Sequence, residues 1–381
     1  MAGTWRNSKV SSNPSAATAA DAGAVATGWM REALALAACG LYSTDPNPRV
    51  GCVIAQGERV VGRGFHARAG EPHAEVHALR EAGAEARGAT AYVTLEPCAH
   101  FGRTPPCADA LIAAGIARVV VATLDPFPAV NGAGIARLRA AGIKVAVGLL
   151  EAEARELNIG FYSRLTRQRP WVRVKLGMSL DARTALADGS SQWITGTAAR
   201  ADVQHWRARS SAILTGIDSV LADDPRLTVR IEGLETPRAP TRVILDTRAR
   251  LPTHARLVSE PGPILWVTAA NAPARPELDN RVDRLRVPTR HERIDLGAVL
   301  AALGERDCNE LLIEAGGTLA GAFVAANLVD ELILYLAPTL LGHDARAAFQ
   351  LPPLAVLGDA QRWQWHGVER VGGDLRVMLR P

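Results

Sequence analysis

Short β-rich runs alternate with helical runs along almost the whole chain, which predicts an α/β protein whose sheets are mostly parallel and covered by helices. Two further observations divide it in two. At 381 residues the chain exceeds the size at which one hydrophobic core usually stops growing. The helical pattern that ends near Arg167 is then broken by Arg169-Pro170. The expected organisation is a tail over residues 1–27, a first domain over 28–168 and a second over 169–381.

Residues 1–27 are rich in Ala, Ser and Thr, contain Arg6 and Lys9 and lack an apolar h-region, so they are no secretory signal and read as a disordered tail in preference to a transit peptide. A helix is expected through MREALALAA, then strands VGCVIAQ and RVVGRGF flanking Gly57-Glu58, a hairpin turn. Helix AEVHALREAG, strand TAYVTLE, helix CADALIAAG, strand ARVVVATL, helix AGIARLRAAG and strand KVAVGL follow, and a helix over Glu151 to Arg167 closes the first domain. In the second domain strands are expected in WVRVKLGMSLD, SAILTG, TRVILDT, GPILWVTA, NELLIEAGG and DELILYLAP, separated by helices such as TAARADVQHWRA and LAGAFVAA. Strand DELILYLAP could also pair or pack across subunits.

Apolar residues make up 48% of the chain and charged residues 22%, the balance of a soluble globular protein rather than a disordered one. The formal charge of +4 and the absence of any long basic run do not call for a nucleic-acid partner. Apolar stretches are interrupted too soon to span a membrane. Five cysteines, Cys39, Cys52, Cys98, Cys107 and Cys308, are too sparse for a disulfide framework and suit a reducing, cytoplasmic setting.

His73 and Glu75 stand in PHAEV at the start of a helical pattern, Cys98 follows Pro97, and Cys107 follows Pro106 at the start of the next helix. One imidazole and two thiolates give zinc three ligands and leave its fourth tetrahedral position open to water. Zinc lowers the pKa of that water, and Glu75 can carry its proton to a leaving amine. This is the deaminase pattern of H-x-E followed by P-C and a second cysteine, with eight residues between the cysteines where the generic motif has two. His77, one turn after His73, reads as a packed helical residue, because HAEVH lacks the glutamate placement of a zinc protease. In the second domain EAGGTLAGAF puts Gly316-Gly317 between a strand and a helix, either a phosphate site at a helix start or a simple tight turn. It is not the G-x-G-x-x-G fingerprint.

With DPNPRVGCVI, GFHARAGEPHAEVHAL, YVTLEPCAHFGRTPPC, VKLGMSLDARTA, SQWITG, ILTGIDSVLADDPRLTVR, IEAGGTLAGAF and VDELILYLAPTLLG, the chain from about Gly28 onward resembles the bifunctional riboflavin-biosynthesis deaminase/reductase family. The long cysteine spacing is characteristic of that family. The resemblance implies a cytidine-deaminase-like three-layer domain followed by a dihydrofolate-reductase-like domain. It implies Zn2+-dependent hydrolysis of the 2-amino group of 2,5-diamino-6-ribosylamino-4(3H)-pyrimidinone 5′-phosphate, then NADPH-dependent reduction of the ribosyl group to ribityl. A homodimer or tetramer is expected on the same ground.

Residue by residue, the resemblance places Asn47, His66, Arg103 and Thr104 in the deaminase pocket, although Asn47 between two prolines also suits a turn. It places Gly177, Trp193, Ser219, Asp223 and Gly316, Gly317, Thr318, Leu319, Ala320 and Gly321 at the cofactor. Ser191, Arg207, Leu227, Arg230 and Glu314 are expected at the ribosyl-phosphate substrate, where arginine forks suit a phosphate. Lys175 is expected either to protonate or polarise the sugar oxygen or to contact phosphate. Met178 and Ala182 stand where the family often carries a small residue and glycine. Two rival readings remain at this point: a nucleoside or tRNA deaminase with a scaffold second half, and a zinc-stabilised ligand-binding protein.

Overall fold

The computed structural model describes residues 14–99, 106–128, 130–234 and 238–381. The chain divides into two compact units, Met1–Gly40 with Arg49–Leu157, and Leu41–Pro48 with Asn158–Pro381. This division falls earlier than the expected break after residue 168. The single helix expected over Glu151 to Arg167 is two, Glu151–Leu157 and Ile159–Arg167. The second binds downstream partners, with Arg164 on Asn309 at 2.7 Å and Arg167 on Asp330 at 2.7 Å. Side-chain pairing outweighs the local pattern here, and the Arg169-Pro170 break lies inside the second unit. Likewise Leu41–Pro48 is tied there by Asp45, which accepts from Ser211 at 3.0 Å and Asn309 at 2.9 Å and pairs with Arg238. The first helix runs Pro14–Ala38, so the backbone of residues 14–27 is helical where a disordered tail was expected. Alanine, the strongest helix former, dominates that stretch.

In the first unit the strands lie in the order 59–65, 51–56, 90–93, 118–121, 144–147. The sheet is mixed rather than mostly parallel. The Gly57-Glu58 turn, with Gly57 at φ +59°, reverses the chain, and strand Gly51–Gln56 also runs antiparallel to Thr90–Val93. Alternation along Gly51–Gln56 sends Cys52 and Ile54 to one face, against Ala74, Ala78, Leu111 and Leu138, and Val53 and Ala55 to the other, against Met30 and Ala33. Helices therefore cover both faces, and the three-layer expectation is met.

The second unit holds a nine-stranded sheet in the order 283–287, 264–269, 241–245, 212–216, 310–314, 171–179, 331–337, 374–380, 364–371. It is parallel as far as 331–337, and its last two strands are antiparallel to their neighbours. Strand Glu331–Ala337 is central and paired on both sides, so it has no edge to offer another subunit. Sequence reading missed 283–287, 364–371 and 374–380. Gln364–Val371 is an exposed edge with little apolar signal. Strand 310–314 fills the gap between 212–216 and 171–179, where the chain's winding reverses, and the crevice beyond the carboxyl ends of these strands is the expected ligand position of such a sheet.

Candidate active sites

Strand Arg59–Phe65 carries Gly62 and Gly64, and a Cβ on either would lie 2.1 or 2.2 Å from the carbonyl oxygens of Ala78 and Ala74. Helix Ala74–Ala82 therefore seats directly on the sheet, with His73 in its N-cap position and Glu75 in its first turn. His73 Nδ1 is 3.2 Å from Cys107 Sγ and 3.6 Å from Cys98 Sγ, and the three donor atoms all lie within 4.8 Å of one another. Tetrahedral zinc with bonds of about 2.0–2.3 Å spaces its ligands roughly 3.5–3.8 Å apart, so the triad fits the ion. The backbone N–H of Cys107 donates to Cys98 Sγ at 3.3 Å.

Hydrogen bonding from Cys107 and then His73 outweighs burial and holds the Cys98 thiol down at about 4, while the Cys107 thiol goes up. Glu75 is 3% exposed, and burial pushes its carboxyl up to about 7. His66 is buried with its ring edge-on to His73, centroids 5.2 Å apart, and its Nδ1 donates to the Pro72 carbonyl at 3.2 Å. Burial lowers its pKa. His77 is outside the donor triad, Cys52 and Cys308 are buried, and all five cysteines are free. Asn47 is half-buried in the second unit, its N–H closing a turn on Thr44 O at 2.9 Å. Arg103 and Thr104 lie outside the described residues.

In the second unit Lys175 and Glu314 are register partners on adjacent parallel strands. Arg207 donates to both oxygens of Glu314, at 2.6 and 2.9 Å, and to Thr228 O at 3.0 Å. That engagement fixes Arg207 as a partner of Glu314, whereas Arg230 keeps an exposed guanidinium, bonded through one nitrogen to Thr228 Oγ1 at 3.1 Å. Burial, then the charges of Arg207 and Arg226, lower the Arg230 pKa. Burial also lowers that of Lys175, with Glu314 opposing and Arg207 reinforcing the shift. Sequence reasoning missed Thr228 and Gln204, whose Oε1 accepts the Arg230 N–H at 2.9 Å; neither belongs to a motif that would single it out. Leu227 is buried at φ +52°, a strained position beside this cluster.

Lys175 and Gly177 share a strand face, and a Cβ on Gly177 would lie 3.2 Å from Thr195, which brings the 191–195 loop alongside. Ser191 is half-buried there, and exposed Trp193 carries the Arg200 guanidinium 4.5 Å from its ring centroid. Ser219 and Asp223 lie on helix Ile217–Asp223, whose N-cap Gly216 approaches Leu319. Gly316, two residues beyond Glu314, caps helix Gly317–Ala325 with no side-chain hydrogen bond, and a Cβ there would meet nothing within 4 Å. Such an open helix start at the sheet's carboxyl edge fits a nucleotide phosphate.

Within the run expected at the cofactor, Gly316, Thr318 and Leu319 keep exposed surface, while Gly317, Ala320 and Gly321 are buried. A Cβ on Gly317 or Gly321 would lie 2.4 Å from the carbonyl oxygen of Ala347 or Gln350, so these two glycines serve helix packing. Met178 is buried in the core.

Residues 25–123 match the family described as the cytidine and deoxycytidylate deaminase zinc-binding region, and residues 170–377 match the RibD C-terminal domain. The riboflavin biosynthesis protein RibD of Escherichia coli strain K12 is 50% identical over 361 residues, covering 92% of this chain and 98% of that protein. The protein of the same name from Haemophilus influenzae is 47% identical, with 93% and 96% covered. Among solved structures, a RibD from Acinetobacter baumannii gives a TM-score of 0.89 at 47% identity, covering 94% of this chain and 99% of that one. A deaminase/reductase from Thermotoga maritima gives 0.84 at 33%, with 94% and 99% covered.

Proposed function

The chain belongs to the RibD family of bifunctional riboflavin-biosynthesis deaminase/reductases, and from that premise we propose how its own residues carry the two reactions. The first unit hydrolyses the 2-amino group of 2,5-diamino-6-ribosylamino-4(3H)-pyrimidinone 5′-phosphate. The second reduces the ribosyl group of the product with NADPH, giving 5-amino-6-ribitylamino-uracil 5′-phosphate. The observation that carries the first assignment is a buried carboxyl, Glu75, two residues from His73 in a triad whose ligand set leaves a tetrahedral ion one open position. No helix among the described residues is long and apolar enough to cross a membrane, and the free cysteines suit a cytoplasmic enzyme.

His73, Cys98 and Cys107 would hold zinc, which would act as a Lewis acid that makes water a usable nucleophile near neutral pH. Glu75 accepts the proton of the attacking water and returns it to the amine, which departs as ammonia. Its burial favours the neutral form, so it holds that proton more readily than an exposed carboxylate would. His66 would support the His73 ring, and Arg103 and Thr104 would hold the base and its phosphate.

NADPH supplies the hydride. The helix start at Gly316, together with Thr318, Leu319, Ser219, Asp223, Gly177 and Trp193, would hold it. Arg230 would take the substrate phosphate, Arg207 would orient Glu314, and Ser191 and Leu227 would border the sugar. Lys175 would give a proton to the ring oxygen as the ribose opens, leaving C1′ doubly bonded to the amine nitrogen as the carbon to be reduced. We further read the enzyme as a homo-oligomer, a dimer or tetramer; its exposed edge strand Gln364–Val371 carries Trp365 and Val368.

A two-stage assay on zinc-replete protein tests the function. Ammonia release from the diaminopyrimidinone substrate should be followed by NADPH consumption. Ammonia without NADPH consumption would overturn the reductase assignment, and no ammonia would overturn the substrate.

A further inference from the structure

Glu96, two residues before Cys98, is 3% exposed. Its carboxylate accepts backbone N–H groups from Gly132 and Gly134 at 2.9 Å and from Asp125 and Ile135 at 3.3 Å. Three of these donors belong to the N-cap and first turn of helix Ala133–Ala140, whose amides have no partner within the helix. Contact between helix and ligand loop is close. A Cβ on Gly134 would lie 1.9 Å from the Pro97 carbonyl oxygen.

One turn further along, Arg137 donates to the carbonyl of Ala99 at 3.4 Å and pairs with Asp109 at 2.5 Å. Pro97 and Ala99 flank Cys98, and Asp109 is in the first turn of the helix that Cys107 begins. A single helix therefore touches the chain on both sides of one thiolate and the element bearing the other.

We propose that Glu96 is a positioning residue of the zinc site: it docks helix Ala133–Ala140 beneath Pro97 and Cys98, and Arg137 extends that docking to Asp109, setting the spacing of the two thiolates. The inference rests on the deaminase reading of the triad. Zinc constrains its ligands to a narrow range of separations, so support behind the ligands sets affinity as well as geometry, typically by 10–100-fold. Glu96→Gln would put an amide NH2 against N–H donors that now meet an oxygen.

The test is Co2+ titration of metal-free, full-length wild type, Glu96→Gln and Arg137→Ala, read by the thiolate-to-cobalt absorption and by affinity. NADPH-dependent reduction by the second unit serves as a control on the preparation. Expected is a loss of Co2+ affinity of about tenfold or more in both variants with an altered absorption band and unchanged reduction. Wild-type affinity and band in both variants, with only a lowered melting temperature, would show that Glu96 merely caps a helix and would overturn the proposal. Arg137 is largely exposed, so if Glu96→Gln fails to fold, the affinity and band of Arg137→Ala decide between the same two outcomes. Metal binding is read without substrate, which keeps failure here distinct from failure of the substrate assignment.

Discussion

The guanidinium of Arg207 grips both carboxylate oxygens of Glu314, at 2.6 and 2.9 Å, at the carboxyl end of a strand whose neighbour presents Lys175. Burial alone would raise the Glu314 pKa; Arg207, Lys175 and Arg230 overcome it and hold the group at about 2, below its ordinary 4.5. A depressed folded-state pKa contributes stability that is complete above the unfolded value and is lost as pH falls from about 4.5 toward 2. Glu314→Gln is expected to be less stable than wild type by about 3 kcal/mol at pH 7. That gap should shrink as the pH is lowered below 4.5, measured by urea unfolding across pH; a gap independent of pH would refute the charge pairing.

Lys175 faces the same cluster. Lys175→Ala should lose NADPH-dependent reduction by roughly 10²–10⁴-fold while ammonia release in the first stage stays at the wild-type rate. Retained reduction would remove Lys175 from the chemistry.

Glu75→Gln, measured zinc-replete, should lose ammonia release by roughly 10²–10⁴-fold with zinc content unchanged, because the amide cannot carry the proton. If deamination survives, the proton carrier lies elsewhere. Loss of zinc together with activity would instead make Glu75 a support of the metal site.

Adjacent glycines should behave oppositely. Gly317→Ala drives a Cβ against the Ala347 carbonyl at 2.4 Å and should cost about 1–3 kcal/mol in thermal unfolding. Gly316→Ala meets open space, so its melting temperature should hold while the KM for NADPH rises. An unchanged KM would argue that the cofactor backbone does not approach Gly316.

Ala182 occupies φ +57°, a left-handed conformation that glycine adopts without penalty. Ala182→Gly should therefore stabilise the protein by about 0.5–1 kcal/mol, raising its melting temperature by roughly 1–4 °C. A lower melting temperature would show that the methyl group's packing outweighs the backbone strain.

Local chemistry determined much of this protein in advance. Short apolar runs placed the central strands, because a strand buried on both faces fills most of its positions with apolar residues. His73, Glu75, Cys98 and Cys107 were legible because metal ligands sit at element ends marked by proline and helix starts. Tertiary structure alone decided what depends on distant neighbours. Arg164 and Arg167 carry the helix Ile159–Arg167 into the second unit through partners more than a hundred residues away. Gly316 and Gly317 look alike in sequence, yet only the second meets a carbonyl, because segment 347–348 happens to pass there. Edge strand Gln364–Val371 escaped notice since exposure on both faces erases its period. Glu96 was invisible as a support, because its partners are backbone amides that any sequence would supply, and only the fold delivers them to one carboxylate.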